Sequence, residues 1–111
     1  MSTTIIINSE VLGKGPDELG ERLMGSFLRK LCMQREKPSG IVFYNSGVNL
    51  LARGSSVLDA LDVLAEAGVD LIACGTCVAF YKLKDKIFVG RISDMLEIVS
   101  TLMNSEKVIT I

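Results

Sequence analysis

Residues 69–77 read Val-Asp-Leu-Ile-Ala-Cys-Gly-Thr-Cys and join a short apolar run to a pair of cysteines. A run of this length that is apolar on both faces is typical of a buried parallel strand. We therefore predict a strand over 69–73 that ends where Cys74 begins. The other predicted strands are 4–8, 41–44, 87–89 and 107–111.

Segments with apolar residues at helical spacing separate these strands. The predicted helices begin near Pro16, Ser56, Thr76 and Ser93, and the hydroxyls of Ser56 and Ser93 are predicted to cap their helices. The alternation of strands and helices predicts an α/β fold, a three-layer α/β/α sandwich around a largely parallel five-stranded sheet. Residues 1–111 are expected to form one domain.

Composition narrows the classes of partner. The chain has 111 residues with 12 basic and 13 acidic side chains, a net charge of −1 and no basic stripe, so nucleic acid is not expected to bind. A membrane is not expected as a partner either, because no apolar run approaches the ~20 residues of a spanning helix. Apolar residues make up 49% of the sequence, which is hard to bury within so short a chain. We therefore expect a homo-oligomer.

The N-terminal segment and the cysteine content constrain the chemistry. Met1–Thr4 lacks the charged and apolar regions of a signal peptide, so a cytoplasmic location with reduced thiols is expected. The chain has three cysteines and no histidine, which excludes Cys-His and Ser-His nucleophiles within one chain and any His-bearing metal site. One Cys-x-x-Cys segment supplies only two of the four ligands that zinc usually takes. Neither a metal nor a cofactor is expected.

Polar residues follow three of the predicted strands at the point where each strand ends. They are Asn8-Ser9, Asn45-Ser46-Gly47 at the start of a predicted polar loop, and Cys74-Gly75-Thr76-Cys77. The carboxyl ends of parallel strands meet at one edge, where open α/β sheets bind ligands. These residues form the candidate site, with the alternative that the Asn and Ser residues are simply turn formers.

The Cys-x-x-Cys segment carries the chemical prediction. A thiol between a strand end and a helix start faces free N–H groups and the positive end of the helix dipole, which stabilise a thiolate. Gly75 leaves the sulfur of Cys74 unshielded, and Thr76 can cap the helix or donate to an anionic sulfur. Cys74 is thus expected to be exposed and to react before Cys77. The alternative is a pair of small buried apolar residues. Cys32, on the first helix, is expected to be a core or partly buried residue.

Several segments together suggest a family. They are Ile7-Asn8-Ser9, Phe43-Tyr44-Asn45-Ser46-Gly47-Val48 and Ala73-Cys74-Gly75-Thr76-Cys77, within a similarity that extends from Ile5 to Ile111. The chain resembles the DsrE-like sulfur-relay family, and within it the C-terminal domain of the YedF proteins, which are linked to selenium metabolism. The resemblance implies a flavodoxin-like fold and homo-oligomers. One departure is Lys82, where the family pattern has glycine after the short helix.

The resemblance also implies a function. The cysteine at the position of Cys74 carries sulfur as a persulfide in this family, and Cys77 would be a resolving thiol or a second station. We therefore expect sulfurtransferase-like transfer of sulfur or selenium to a partner protein, with a TusA-like protein as a candidate donor or acceptor. Two alternatives stay open: a dithiol redox protein or sensor that uses the same pair, and a non-catalytic oligomeric binding module.

Overall fold

The computed structural model describes residues 2–111, which fold as a sheet with helices packed on both of its faces. In chain order the elements are β1 (Thr3–Ile7), α1 (Asp17–Cys32), β2 (Gly40–Phe43), a 3-10 helix (Asn45–Leu51), α2 (Leu58–Glu66), β3 (Asp70–Cys74), α3 (Gly75–Phe80), β4 (Arg91–Ser93), α4 (Met95–Asn104) and β5 (Lys107–Thr110). None of the helices within residues 2–111 has the length and apolar character needed to cross a membrane.

The sheet has five strands in the order β4-β3-β2-β1-β5, and every neighbouring pair is parallel. The pairing register aligns Ile5 with Ile41, and Ile41 in turn with Leu71. This confirms the predicted α/β fold with five strands, and the sheet is parallel throughout. Because β1, β2 and β3 lie side by side, the residues that follow them meet at one edge of the sheet.

Two groups of buried residues lie on opposite faces of the sheet, because successive residues of a strand point to opposite sides. In β2, Ile41 and Phe43 belong to the larger group, which packs against α1 and α2. In β3, Leu71 belongs to that larger group as well. The smaller group lies under α4 and consists of Val42, Ile72, Cys74 and Ile98.

The fourth strand lies further along the chain than the sequence predicted, at Arg91–Ser93 and not at 87–89. The backbone of the earlier segment finds its partner elsewhere, since the N–H of Phe88 donates to the carbonyl oxygen of Leu51 at 2.8 Å. Gly90 then turns the chain into the sheet with φ of 87°. A Cβ at Gly90 would lie 2.9 Å from a carbonyl oxygen of β3, so the turn requires glycine.

Neither of the two serines predicted to cap a helix does so. Ser93 is the last residue of β4, and Asp94 caps α4 by accepting the N–H of Glu97 on its Oδ1 at 2.9 Å. Aspartate and serine are about equally suited to this position, so composition alone does not choose between them. The helix predicted to begin at Ser56 begins at Leu58.

The polar loop predicted after β2 is instead the 3-10 helix Asn45–Leu51. Its apolar side chains explain the difference, because Val48 and Leu51 are completely buried and hold the segment against the core. Gly47 allows the close approach to β1, since a Cβ there would clash with the carbonyl oxygen of Ile7.

Candidate functional site

Cys74, the last residue of β3, faces the interior of the protein. It belongs to the same apolar group as Ile72 and Ile98, and only 1% of the residue is exposed. The predicted position at the strand end is confirmed, but the predicted exposure was wrong. The reason is the two-residue period of the strand: Cys74 points to the same face as Ile72, and α4 covers that face.

Of the two paired cysteines, the one at the surface is Cys77, in the first turn of α3. Its side chain is half-buried, and its Sγ accepts a hydrogen bond from the main-chain N–H of Asn45 at 3.0 Å. Asn45 opens the 3-10 helix with φ of 53°, a left-handed conformation that asparagine tolerates better than most residues. The turn after β2 therefore presents an N–H donor to a sulfur that follows β3.

Burial raises the pKa of the Cys77 thiol above its ordinary value. The hydrogen bond from Asn45 acts in the opposite direction on this pKa, because it stabilises the thiolate, and the neighbouring Cys74 thiol raises the pKa again. The net shift of the Cys77 pKa is upward, so the neutral thiol predominates near neutral pH. Because the thiolate is the nucleophile, the reactivity of Cys77 should increase as the pH rises.

Cys77 opens into a groove between α3 and α4 with a volume of about 620 Å³. The groove is mostly apolar and is lined by Tyr44, Asn45, Thr76, Cys77, Phe80, Tyr81, Met95, Ile98 and Leu102. Sequence reasoning placed Asn45, Thr76 and Cys77 in the site but did not find the apolar walls. Phe80 is 79% exposed, which is unusual for a large aromatic residue without a partner or ligand, but this exposure follows from the packing and is not visible in the sequence.

The remaining polar residues of the candidate site lie outside the lining of this groove, as Asn8 and Ser9 illustrate. Ser9 Oγ accepts the N–H of Val11 at 3.2 Å, which is a turn-forming role. Ser46 Oγ accepts the N–H of Glu10 at 3.2 Å and so ties together the segments that follow β1 and β2. Ser46 borders a second cavity of about 710 Å³, whose lining includes residues of α1.

Gly75 and Lys82 fix the two ends of α3. A Cβ at Gly75 would lie 3.0 Å from the carbonyl oxygen of Ser93, so glycine lets the start of α3 pack closely against β4. After the helix ends at Phe80, Lys82 adopts φ of 57°, the left-handed region that favours glycine. The departure from the family pattern at Lys82 therefore keeps the backbone shape that a glycine would give.

An ionic cluster that the sequence did not reveal positions α4, one wall of the groove. Arg91 donates to Asp70 through Nε at 2.9 Å and Nη2 at 2.8 Å, and to Glu97 through Nη1 at 2.8 Å and Nη2 at 2.6 Å. Arg91 and the hydroxyl of Ser93, which also donates to Glu97, lower the pKa of the Glu97 carboxyl to about 2. The start of α4 is thus anchored to both β3 and β4.

The third cysteine is separate from this site. Cys32 Sγ donates to the carbonyl oxygen of Ala60 at 3.4 Å, and the half-buried side chain packs against the larger apolar group, which agrees with the prediction of a core or partly buried residue. Within the described residues 2–111, no group of three or more His, Cys, Asp or Glu side chains is arranged to hold a metal ion.

Comparison with known proteins agrees with this architecture. The ychN protein from E. coli has a TM-score of 0.76 at 17% identity, covering 99% of this chain and 98% of that chain. MTH1491 from Methanobacterium thermoautotrophicum, a protein of unknown function, has a TM-score of 0.73 at 23% identity, with 99% and 98% covered. BT1422 from Bacteroides thetaiotaomicron has a TM-score of 0.68 at 15% identity, with 99% and 95% covered. At such identities the likeness shows the fold alone.

Sequence comparison supplies the family. No curated protein sequence gives a significant match. The sequence model of the DsrE/DsrF-like family, however, matches residues 11–111, which is nearly the whole chain. By this match and by its five-stranded parallel sheet, the chain belongs to the DsrE/DsrF-like family, which is generally associated with sulfur relay.

Proposed function

We propose that this protein relays sulfane sulfur, or selenium, on the thiol pair Cys74 and Cys77. The observation that carries the proposal is the placement of Cys77 in an apolar groove, with the N–H of Asn45 on its sulfur and its side chain packed against the apolar group that contains the buried Cys74. An accessible thiol (Cys77) next to a buried one (Cys74) suits the transfer of a reactive sulfur atom, because a sulfur held on the buried thiol is protected from water and soluble reductants.

The first step is the loading of Cys77. Its thiolate attacks the outer sulfur of a donor persulfide, so a new S–S bond forms on Cys77 while the S–S bond of the donor breaks. The donor leaves as a thiolate, and the Cys77 proton passes to solvent. The N–H of Asn45 stabilises negative charge on the Cys77 sulfur during this exchange.

The second step moves the sulfur inward. Cys74 attacks the outer sulfur of the Cys77 persulfide, so an S–S bond forms on Cys74 while the S–S bond on Cys77 breaks. The proton of the Cys74 thiol passes to the departing sulfur, which returns Cys77 to a thiol. Cys74 is then the carrier, the role that the family resemblance implies for it. Return of the sulfur to Cys77 by the same exchange presents it to an acceptor thiol in the groove.

The donor and the acceptor are proposed to be sulfur-carrying proteins of the cytoplasm, with a TusA-like protein as the first candidate. The resemblance to the YedF type supports this choice and supports selenium as an alternative cargo. The apolar lining of the groove, which includes Phe80 and Met95, supports a protein partner, since it offers contact area without charge.

A dithiol redox function is the second candidate, and the proximity of the two thiols favours it. Cys77 packs against the apolar group that contains Cys74, so the two thiols of the Cys-x-x-Cys segment lie in one packed region. In that reaction Cys74 attacks the inner sulfur of a Cys77 persulfide, which forms the disulfide and releases hydrosulfide as the reduced product.

Intact mass spectrometry of the reduced protein after incubation with a low-molecular-weight persulfide distinguishes these functions. The relay predicts a protein that retains the mass of one added sulfur atom and loses it to an added acceptor thiol. Loss of two hydrogen atoms with release of sulfide would show the redox function instead. An unchanged mass would contradict both and support a binding module.

A further inference from the structure

The end of α3 and the segment that follows it expose every second side chain. Two aromatic rings and three ammonium groups alternate there with residues that are, apart from Asp85, buried or half-buried. The exposed residues form what we call the 80–88 surface: Phe80, Lys82, Lys84, Lys86 and Phe88. The two phenylalanines at its ends are 79% and 68% exposed.

Main-chain hydrogen bonds hold the 80–88 surface in place. The N–H of Leu83 donates back to a carbonyl oxygen of α3 at 2.9 Å, and the N–H of Phe88 donates to the last residue of the 3-10 helix at 2.8 Å. The first residue of the surface, Phe80, also lines the groove around Cys77. An ordered, charged surface therefore adjoins the groove that holds the accessible thiol.

The positive charge of the 80–88 surface is not neutralised within the chain. Asp85 is the only acidic residue between Leu71 and Ser93, against three lysines in the same surface. None of these lysines forms an ion pair within residues 2–111, whereas Arg91 is paired with two carboxylates. The whole chain has a net charge of −1, so this positive charge is a local feature.

Lys82 occupies a backbone position that disfavours lysine. Its φ of 57° lies in the left-handed region, which is unfavourable for a residue with a Cβ and which glycine adopts without strain. A strained residue of this kind suggests that its side chain has a function. Because Lys82 pairs with no carboxylate of residues 2–111, its ammonium group is free to meet a partner.

We propose that the 80–88 surface docks an acidic segment of the partner protein that exchanges sulfur at Cys77. The lysines select carboxylates, and Phe80 and Phe88 supply apolar contact at the two ends of the surface. The groove has no Lys, Arg, Asp or Glu in its lining, so it offers no such selection by charge. That this partner carries sulfur rests on the proposed function, whereas the docking of acidic chains does not.

A nucleic acid fits the same surface less well. Domains that bind nucleic acid are usually basic overall, with a pI above about 9, whereas the pI of this sequence is about 5.4. Three lysines neutralise only a few phosphates, and the 13 acidic residues of the chain repel a long polyanion. A protein can instead present a few carboxylates to these lysines, which favours an acidic protein as the partner.

Thiol–disulfide exchange at Cys77 tests the docking without any persulfide. Two short peptides are prepared as pyridyl disulfides of a terminal cysteine, one with glutamates and the other with glutamines at the same positions. The Cys77 thiolate attacks the peptide sulfur, so a Cys77–peptide disulfide forms while the pyridyl disulfide breaks and thiopyridone leaves. Thiopyridone release gives the rate, and Cys77→Ser gives the background from the other thiols. The ratio of the two rates cancels any change in the reactivity of the thiol itself.

The wild type should react several-fold faster with the glutamate peptide than with the glutamine peptide. This advantage should vanish at about 1 M salt, where the Debye length is about 3 Å. Replacement of all three lysines of the 80–88 surface by glutamine should remove it as well. The matched control loses three exposed cations near the end of α1 and should keep the advantage: Arg29→Gln, Lys30→Gln and Arg35→Gln.

Lys82→Gly keeps the test intact if the triple variant misfolds. Glycine suits the left-handed backbone at this position, so Lys82→Gly should unfold at the urea concentration of the wild type or above it, yet show a smaller advantage of the glutamate peptide.

Equal rates of the two peptides with the wild type would overturn the proposal. An advantage that survives the loss of the three lysines, or that the α1 control loses as completely, would overturn it too. Equal peptide rates together with lysine-dependent binding of an RNA oligonucleotide would assign the 80–88 surface to nucleic acid instead. None of these results bears on whether the pair accepts sulfur.

Discussion

The two faces of the sheet are built differently. The face under α1 and α2 carries most of the core, and α1 turns six charged side chains toward solvent, namely Asp17, Glu18, Glu21, Arg22, Arg29 and Lys30. The face under α4 has four buried residues, Cys74 among them, and exposes an apolar helix. The first face is covered by helices with charged outer surfaces, whereas the second holds Cys74 and is covered by a helix whose outer surface is apolar. Most of the buried core and the buried member of the cysteine pair thus lie on opposite sides of one sheet.

The largest stability effect is expected on the α1–α2 face. Leu61 is completely buried in the larger group, so Leu61→Ala should lower the free energy of unfolding by about 2–5 kcal/mol. Ile98→Ala on the other face should lower the free energy of unfolding by less, because Ile98 packs against a smaller group of buried residues and its truncation removes fewer contacts. Urea unfolding at one fixed protein concentration measures both values. A larger loss from Ile98→Ala would contradict the division between the faces.

Serine substitutions of the two paired cysteines should separate the buried thiol from the reachable one. Cys74→Ser puts a hydroxyl among Ile72 and Ile98, where an unpaired polar group costs about 1–3 kcal/mol. Cys77→Ser should cost less than about 1 kcal/mol, because the side chain is half-buried and can keep the N–H of Asn45 as a partner. Cys74→Ala, which adds no polar atom, is the control. Equal losses from the two serine variants would show that Cys74 is more accessible than the fold indicates.

The smallest effect is expected from the ionic cluster that anchors α4, and it depends on pH. The pKa of Glu97 is lowered to about 2 in the folded protein, so this carboxylate contributes stability that is fully present above its ordinary pKa. The contribution is lost as the pH falls through the folded value. Glu97→Gln should therefore destabilise the protein at pH 7, and the difference from wild type should shrink toward pH 2. Unfolding curves with a constant difference across this range would contradict the pairing with Arg91.

The regular elements could be predicted because they depend on local pattern. The apolar runs that became β1, β2, β3 and β5, and the strand-end position of Cys74, are visible in the sequence alone. The prediction of a strand at 87–89 was wrong because the N–H of Phe88 donates to the carbonyl oxygen of Leu51, a contact made only in the folded chain. The position of β4 also depends on Gly90, whose positive φ directs the chain into the sheet.

The placement of the candidate residues at one edge of the sheet was predictable, but their orientation was not. The ends of three strands meet at that edge, and Asn45, Thr76 and the cysteine pair lie there. Which sulfur faces solvent depends on what covers each side of β3, and that follows from the packing of α4, which the sequence of β3 does not contain. Tyr44 and Phe80 were missed for a related reason, since the groove exists only once α3 and α4 lie side by side.

The route of sulfur through Cys77 is the central claim, and persulfide loading of two variants tests it most directly. Cys74→Ser and Cys77→Ser are incubated with the same low-molecular-weight persulfide, and the added sulfur is located by fragment mass spectrometry. We predict that Cys74→Ser retains a persulfide on Cys77, whereas Cys77→Ser gains little, because its remaining pair member is buried. Loading should also become faster as the pH rises, because the pKa of Cys77 is raised. The reverse pattern, with Cys77→Ser loaded on Cys74 and Cys74→Ser unloaded, would contradict this route.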